Sequence, residues 1–123
     1  MKVLVVEDSP SMRSMLTNII ESETEELDLE IVEASSGFEA LKILPHHQFD
    51  AVVTDINMPD INGLELVSFL KNHPSYRSIP VMVVSTESTS EDRRRAAALG
   101  AEDYLVKPFD PAELVAKLRK LLA

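Results

Sequence analysis

Ala51-Val52-Val53-Thr54-Asp55-Ile56-Asn57-Met58-Pro59-Asp60-Ile61-Asn62-Gly63 is the stretch whose reading decides the fold, because an apolar run stops there on an aspartate and breaks into a loop. The run from Ala51 is short and rich in β-branched residues, which suits a strand buried on both faces. Pro59 and Gly63 then punctuate the turn into the next helix. Asp55 therefore stands at the carboxyl end of a strand. In an open parallel α/β sheet ligands bind at that edge, where side chains leaving the strands converge with no helix over them. The reactive reading makes Asp55 a nucleophile beside a metal ion. The plain alternative is a strand-ending aspartate that caps a turn.

Working outward, four more strand candidates alternate with five helical patterns: Lys2 to Val6, Glu30 to Ala34, Val81 to Val84 and Asp103 to Val106 join Ala51 to Thr54. Such alternation predicts βαβ units, a parallel sheet and helices on both of its faces. Right-handed crossovers leave few arrangements, and the expected fold is a doubly wound α/β domain of the flavodoxin-like type, five strands in the order 2-1-3-4-5. Ser9 reads as the N-cap of the first helix with Pro10 after it, and Met12, Met15, Leu16, Ile19 and Ile20 keep the spacing of one buried face. Acidic Glu21 to Asp28 reads as a solvated connection. The second helix runs from about Gly37 to Leu44 and is stopped by Pro45, and the third from Leu64 to about Asn72. The fourth carries a capping-box pattern, Ser88 to Glu91, then Arg93-Arg94-Arg95 and a stop at Gly100. Its apolar face is weak, so packing should hold it loosely. Asp110, Pro111 and Glu113 open the fifth, which packs through Leu114, Val115, Leu118, Leu121 and Leu122.

The chain has 123 residues and is 45% hydrophobic, which fits a single domain spanning 1–123. It has no cysteine, so disulfides and thiolate metal sites are excluded and a reducing compartment is expected. Apolar stretches fall far short of a membrane span, and Lys2 leads directly into a strand with no signal-peptide core, so a cytoplasmic protein is expected. Twenty-one acidic against twelve basic residues give a net charge of -9, which repels a phosphate backbone and argues against nucleic-acid binding by this domain. Adjacent His46 and His47 invite a metal reading, but no third ligand is near them in sequence.

The strand ends carry the chemistry. Glu7 and Asp8 follow the first strand, Asp55 the third, Ser85 and Thr86 the fourth, and Lys107 and Pro108 the fifth. Three carboxylates about 4 Å apart would repel by roughly 4 kcal/mol per pair at an effective dielectric near 20. One lysine offsets one charge and a divalent ion offsets two. Oxygen-only ligands favour Mg²⁺, with Mn²⁺ as a substitute, over zinc. An ionised Asp beside such an ion and a lysine is equipped to attack phosphorus and form an acyl phosphate. The Ser85 hydroxyl can then donate to the arriving oxygens, distinguishing two states. Singly, each residue also has a structural reading: a surface lysine, a strand-end serine turn, an exposed acidic loop.

Across nearly its whole length the sequence resembles the CheY-like receiver domain of two-component response regulators. The resemblance is carried by Val5-Val6-Glu7-Asp8-Ser9, Asp55-Ile56-Asn57-Met58-Pro59 with Gly63, Val84-Ser85-Thr86-Glu87, and Tyr104-Leu105-Val106-Lys107-Pro108-Phe109. It implies that Asp55 is the phosphoacceptor, that Asp8, Asp55 and the backbone carbonyl of Asn57 ligate Mg²⁺, and that Glu7 supports the metal through water. Ser85 would be the switch hydroxyl, Lys107 the phosphate and carboxylate partner, and Tyr104 the aromatic that turns inward with Ser85. A cis bond before Pro108 is usual in the family. Ser85 stands where threonine is commoner, and Thr86 stands where a small residue borders the phosphoryl pocket. Asn57 and Glu87 occupy the positions that modulate dephosphorylation and, like Ser9-Pro10-Ser11-Met12-Arg13, match the chemotaxis type.

The function so implied is a phosphorylation-dependent switch. Asp55 accepts phosphoryl from a sensor histidine kinase, and the face of helix four, strand five and helix five alters to control an output protein or fused effector domain. The chain would be no enzyme beyond its own phosphorylation and dephosphorylation. A receiver that acts only as an unphosphorylated docking module is the alternative. A phosphatase of the haloacid dehalogenase type would need an acid-base Asp where Asn57 stands. An FMN carrier would need a hydroxyl-rich phosphate loop where Glu7 and Asp8 stand.

Overall fold

The computed structural model describes residues 1–86 and 89–123. Five strands, β1 (Lys2–Val6), β2 (Glu30–Ala34), β3 (Ala51–Thr54), β4 (Val81–Ser85) and β5 (Asp103–Val106), alternate with helices α1 (Pro10–Glu23), α2 (Gly37–Ile43), α3 (Gly63–Asn72), α4 (Ser90–Leu99) and α5 (Pro111–Leu122). All pairings are parallel and the order is β2-β1-β3-β4-β5, as the alternation predicts.

Pleating divides the core in two. Leu4, Val6, Val52, Val81 and Val83 point to one face, where Leu66, Val67 and Leu70 of α3 and Ala96 of α4 cover them. Val3, Val5, Val53, Met82 and Val84 point to the other, against Leu16 and Ile20 of α1 and Leu114 and Leu118 of α5. Every residue of β1 after Lys2 and all of β3 and β4 are buried. This double burial is why those strands read as continuous apolar runs without alternation. Removing a wholly buried leucine such as Leu66 or Leu70 costs roughly 2–5 kcal/mol.

Helix starts follow their caps. Ser9 accepts from the Met12 N–H ahead of Pro10, and Asp110 accepts from the Ala112 N–H ahead of Pro111. Asn62 and Glu65 form a reciprocal capping box on α3. Gly100 ends α4 with φ 108°, the left-handed stop expected of it.

Several expectations need correction. Met15 is 41% exposed, because α1 buries the narrower stripe through Leu16 and Ile20. The α-helix does stop before Pro45, at Ile43, but the chain goes on through a 3-10 turn, Leu44–His46, in which Pro45's missing N–H costs nothing. The acidic connection is partly helical, since α1 runs to Glu23 and a second 3-10 turn covers Glu25–Leu27. The fourth strand includes Ser85. On α4 the cap is Thr89, accepting from Asp92 N–H, in place of the pattern beginning at Ser88. Ser88 and Glu87, the latter assigned to dephosphorylation, lie outside the described residues. Leu121 and Leu122 do pack against the second core as expected, while remaining half-buried.

Candidate functional site

The carboxyl ends of β1, β3 and β5 bring Glu7, Asp8, Asp55 and Lys107 to one edge. One carboxylate oxygen from each of Glu7, Asp8 and Asp55 lies within 4.8 Å of the others, and among the described residues this is the group of acidic, histidine or cysteine side chains able to hold a metal. Asp8 is exposed while Glu7 and Asp55 are buried, so the cluster opens to solvent on the Asp8 side.

Parallel register explains the convergence. Asp55 N–H bonds the Val6 carbonyl at 3.0 Å, which sets Asp55 beside the turn after β1, and Lys107 N–H bonds the Ser85 carbonyl at 2.9 Å, which sets Lys107 at the end of β4. The loop after β3 is equally determined. Asp55 Oδ1 accepts the N–H of Ile56 at 2.8 Å, and Gly63 N–H reaches back to the Ile56 carbonyl at 2.8 Å. A Cβ on Gly63 would fall 1.9 Å from the Asp55 carbonyl oxygen, so only glycine permits this approach of α3 to the aspartate.

The lysine favours Glu7 over Asp55. Lys107 Nζ lies 2.7 Å from Glu7 Oε1 and 3.7 Å from Asp55 Oδ1, with all three side chains at most 10% exposed. Glu7 Oε2 accepts the Ser9 N–H at 3.2 Å. Burial pushes the Glu7 carboxyl above its ordinary pKa; the Lys107 bond opposes this, the nearby Asp55 charge adds to it, and the Ser9 N–H opposes it weakly. Two buried carboxylates sharing one ammonium keep a negative excess. The donors are all hard oxygens, so the set fits Mg²⁺.

Of the other sites read from sequence, Ser85 is fully buried at the end of β4, Thr86 is exposed just beyond it, and Asn57 is exposed on the loop after Asp55. Tyr104 is half-buried on β5 with the Arg93 guanidinium of α4 5.5 Å from its ring centre. The Lys107–Pro108 bond is cis. His46 and His47 lie elsewhere: His47 Nδ1 is 3.0 Å from Lys2 Nζ, at the amino end of β1, opposite the acidic edge.

Two residues were not singled out individually by the sequence. Asp60 accepts from the N–H groups of Phe38 at 2.8 Å and Gly37 at 3.3 Å, tying the loop after β3 to the start of α2, and these bonds, Phe38 foremost, lower its pKa. Arg13 donates from its guanidinium to the Glu7 carbonyl at 2.8 Å. Neither contact follows a local sequence rule. The nearest signal is the run of turn residues from Pro59 to Gly63, which announces a loop without naming its anchor.

Known proteins resemble this chain in sequence and fold. The family model for the response regulator receiver domain matches residues 3–119. A chemotaxis protein CheY homolog of Campylobacter jejuni is 36% identical, over 99% of this chain and 92% of that protein. A probable transcriptional regulatory protein of Picosynechococcus is 37% identical over 98% of this chain but only 49% of its own length. Among solved structures, the chemotaxis protein CheY4 of Vibrio cholerae superposes with a TM-score of 0.88 at 34% identity, covering 98% of both chains.

Proposed function

The chain belongs to the response regulator receiver domain family, and from that premise we propose that Asp55 is its phosphoacceptor and that residues 1–123 form one receiver. Receivers of the CheY type are phosphorylation-dependent signalling switches. The observation that carries the assignment of Asp55 is the meeting of Glu7, Asp8 and Asp55 within 4.8 Å at one strand edge, with Lys107 bound among them.

An Asp55 carboxylate oxygen attacks the phosphorus of a kinase phosphohistidine, a P–O bond forms as the P–N bond breaks, and the departing imidazole takes up a proton. Asp8, Asp55 and the Asn57 carbonyl would hold Mg²⁺, with Glu7 behind them through water; Mn²⁺ suits the same oxygens. The ion supplies neutralisation of charge on the transferring phosphoryl oxygens. Lys107 contributes a second positive charge to those oxygens, leaving Glu7 as it does so. Ser85 then donates its hydroxyl to the phosphoryl group, Thr86 borders the pocket, and Tyr104 follows Ser85 inward, which reshapes the face of α4, β5 and α5. The only chemistry catalysed is the domain's own phosphorylation and dephosphorylation. Its partners are a sensor histidine kinase and an output protein or effector, with neither nucleic acid nor membrane bound by the domain. Among the described residues no helix is long and apolar enough to cross a membrane, and a cytoplasmic setting is in keeping with the family.

The test is intact mass after treatment with acetyl phosphate. Wild type should gain one phosphoryl group in Mg²⁺ and none in excess chelator. Equal labelling with and without the ion would reject the site; no labelling at all, beside a control receiver that labels, would favour the docking module.

A further inference from the structure

We propose that Arg13 is a positioning residue for the acidic site: its guanidinium holds the Glu7 carbonyl and thereby fixes the turn that presents Asp8. The inference rests on the reading of this edge as a Mg²⁺-dependent phosphoacceptor site.

Glu7 is the first residue past β1. Its N–H donates to the Ala34 carbonyl of β2 at 3.0 Å, while on the other side Asp55 N–H already takes the carbonyl of Val6. The Glu7 carbonyl therefore emerges where the strand ladder ends, beside a buried carboxylate, and a carbonyl in such a place needs a donor. Arg13 provides one at 2.8 Å. The guanidinium is itself anchored: its Nε donates to Glu33 Oε1 on β2 at 3.4 Å, and Glu33 Oε2 accepts the Thr17 hydroxyl at 2.6 Å. The Arg13 side chain is only 19% exposed. One planar fork thus joins α1, the edge strand β2 and the turn carrying Glu7 and Asp8, with donors held in fixed directions that an ammonium on a flexible stem does not reproduce.

Two roles for this cation predict opposite signs. Acting by charge alone, Arg13 would oppose Mg²⁺ at the neighbouring carboxylates, and its removal would tighten binding. Acting by position, its removal lets the Glu7–Asp8 turn drift and weakens binding, as loss of an outer support of a metal site does.

The experiment is calorimetric titration of Mg²⁺ into wild type, Arg13→Met and Arg13→Lys, each with a thermal melt. Arg13→Met should weaken Mg²⁺ binding roughly tenfold, with Arg13→Lys between it and wild type. A folded Arg13→Met that binds Mg²⁺ as tightly as wild type or tighter overturns the proposal, even if its melting point falls. Should Arg13→Met not fold, Arg13→Lys decides alone: an affinity a few-fold weaker supports positioning, and one equal to wild type refutes it. Absence of Mg²⁺ uptake by wild type would instead overturn the reading of the site, and Arg13's role with it.

Discussion

Gly63→Ala adds one methyl group, and its consequences can be worked out from the loop that carries Asp55. The new Cβ would lie 1.9 Å from the Asp55 carbonyl oxygen, 2.8 Å from its carbon and 2.9 Å from the Ile56 Cα. All three atoms are backbone, so no side chain can swing aside and either α3 or the Asp55 loop must move. Overpacking of this kind costs roughly 1–3 kcal/mol, and the rigid partners put it at about 3. The bond from Gly63 N–H to the Ile56 carbonyl weakens as the two segments part, adding about 1 kcal/mol. Against this, alanine restricts the unfolded chain and stabilises by roughly 0.4–1 kcal/mol. The net is a loss of about 3 kcal/mol, and at roughly 4 °C per kcal/mol for a chain of this size the melting point should fall by roughly 12 °C. The displaced Asp55 should also label more slowly with acetyl phosphate. Circular dichroism melting and urea denaturation measure the first effect and intact mass the second. A Gly63→Ala protein melting at or above the wild-type temperature would refute the close approach, because at an unconstrained glycine this substitution stabilises.

Other perturbations test the electrostatics. Lys107→Met leaves the buried Glu7 and Asp55 carboxylates without their cation and should cost roughly 3 kcal/mol at pH 7, the low end for a broken buried pair because the Asp8 side is open to water; urea denaturation should show the deficit shrinking in acid as Glu7 takes up a proton. The Glu7 pKa is raised in the fold, so in wild type its favourable contribution is full below the ordinary glutamate range and is lost as pH rises through the shifted value. Asp60 has the opposite sign: its pKa is lowered, so Asp60→Asn should be less stable than wild type at neutral pH and converge with it as pH falls through the folded-state value, read from a pH series of urea midpoints. Mg²⁺ at a hundred times its dissociation constant should stabilise wild type by about 2.7 kcal/mol in thermal melts, and Asp8→Asn should forfeit most of that gain.

Much of this was legible in the chain. Double burial forces β1, β3 and β4 to be apolar without interruption, so the strands showed themselves as runs. Parallel order then places Glu7, Asp8, Asp55 and Lys107 at one edge from the sequence alone. Caps at Ser9 and Asp110 obey rules confined to three or four residues, and they read correctly for the same reason. Contacts that span the sheet were not legible. Gly63 looked like turn punctuation, although its necessity lies in a backbone eight residues earlier, and Lys107 read as a carboxylate partner without any sign that Glu7 would be the nearer carboxylate. Asp60 and Arg13 hold loop ends through bonds whose partners come from different elements. Met15 fitted the helical spacing but not the width of the face that α5 and the sheet leave to α1.

Where the phosphoryl group sits is the most direct question to put to the molecule. Borohydride reduces an aspartyl phosphate to homoserine, which peptide mass spectrometry locates by residue. After acetyl phosphate and Mg²⁺, homoserine should appear at position 55 and nowhere else, and Asp55→Asn should yield none. Homoserine at Asp8 or at another carboxylate, with position 55 unmodified, would contradict the account.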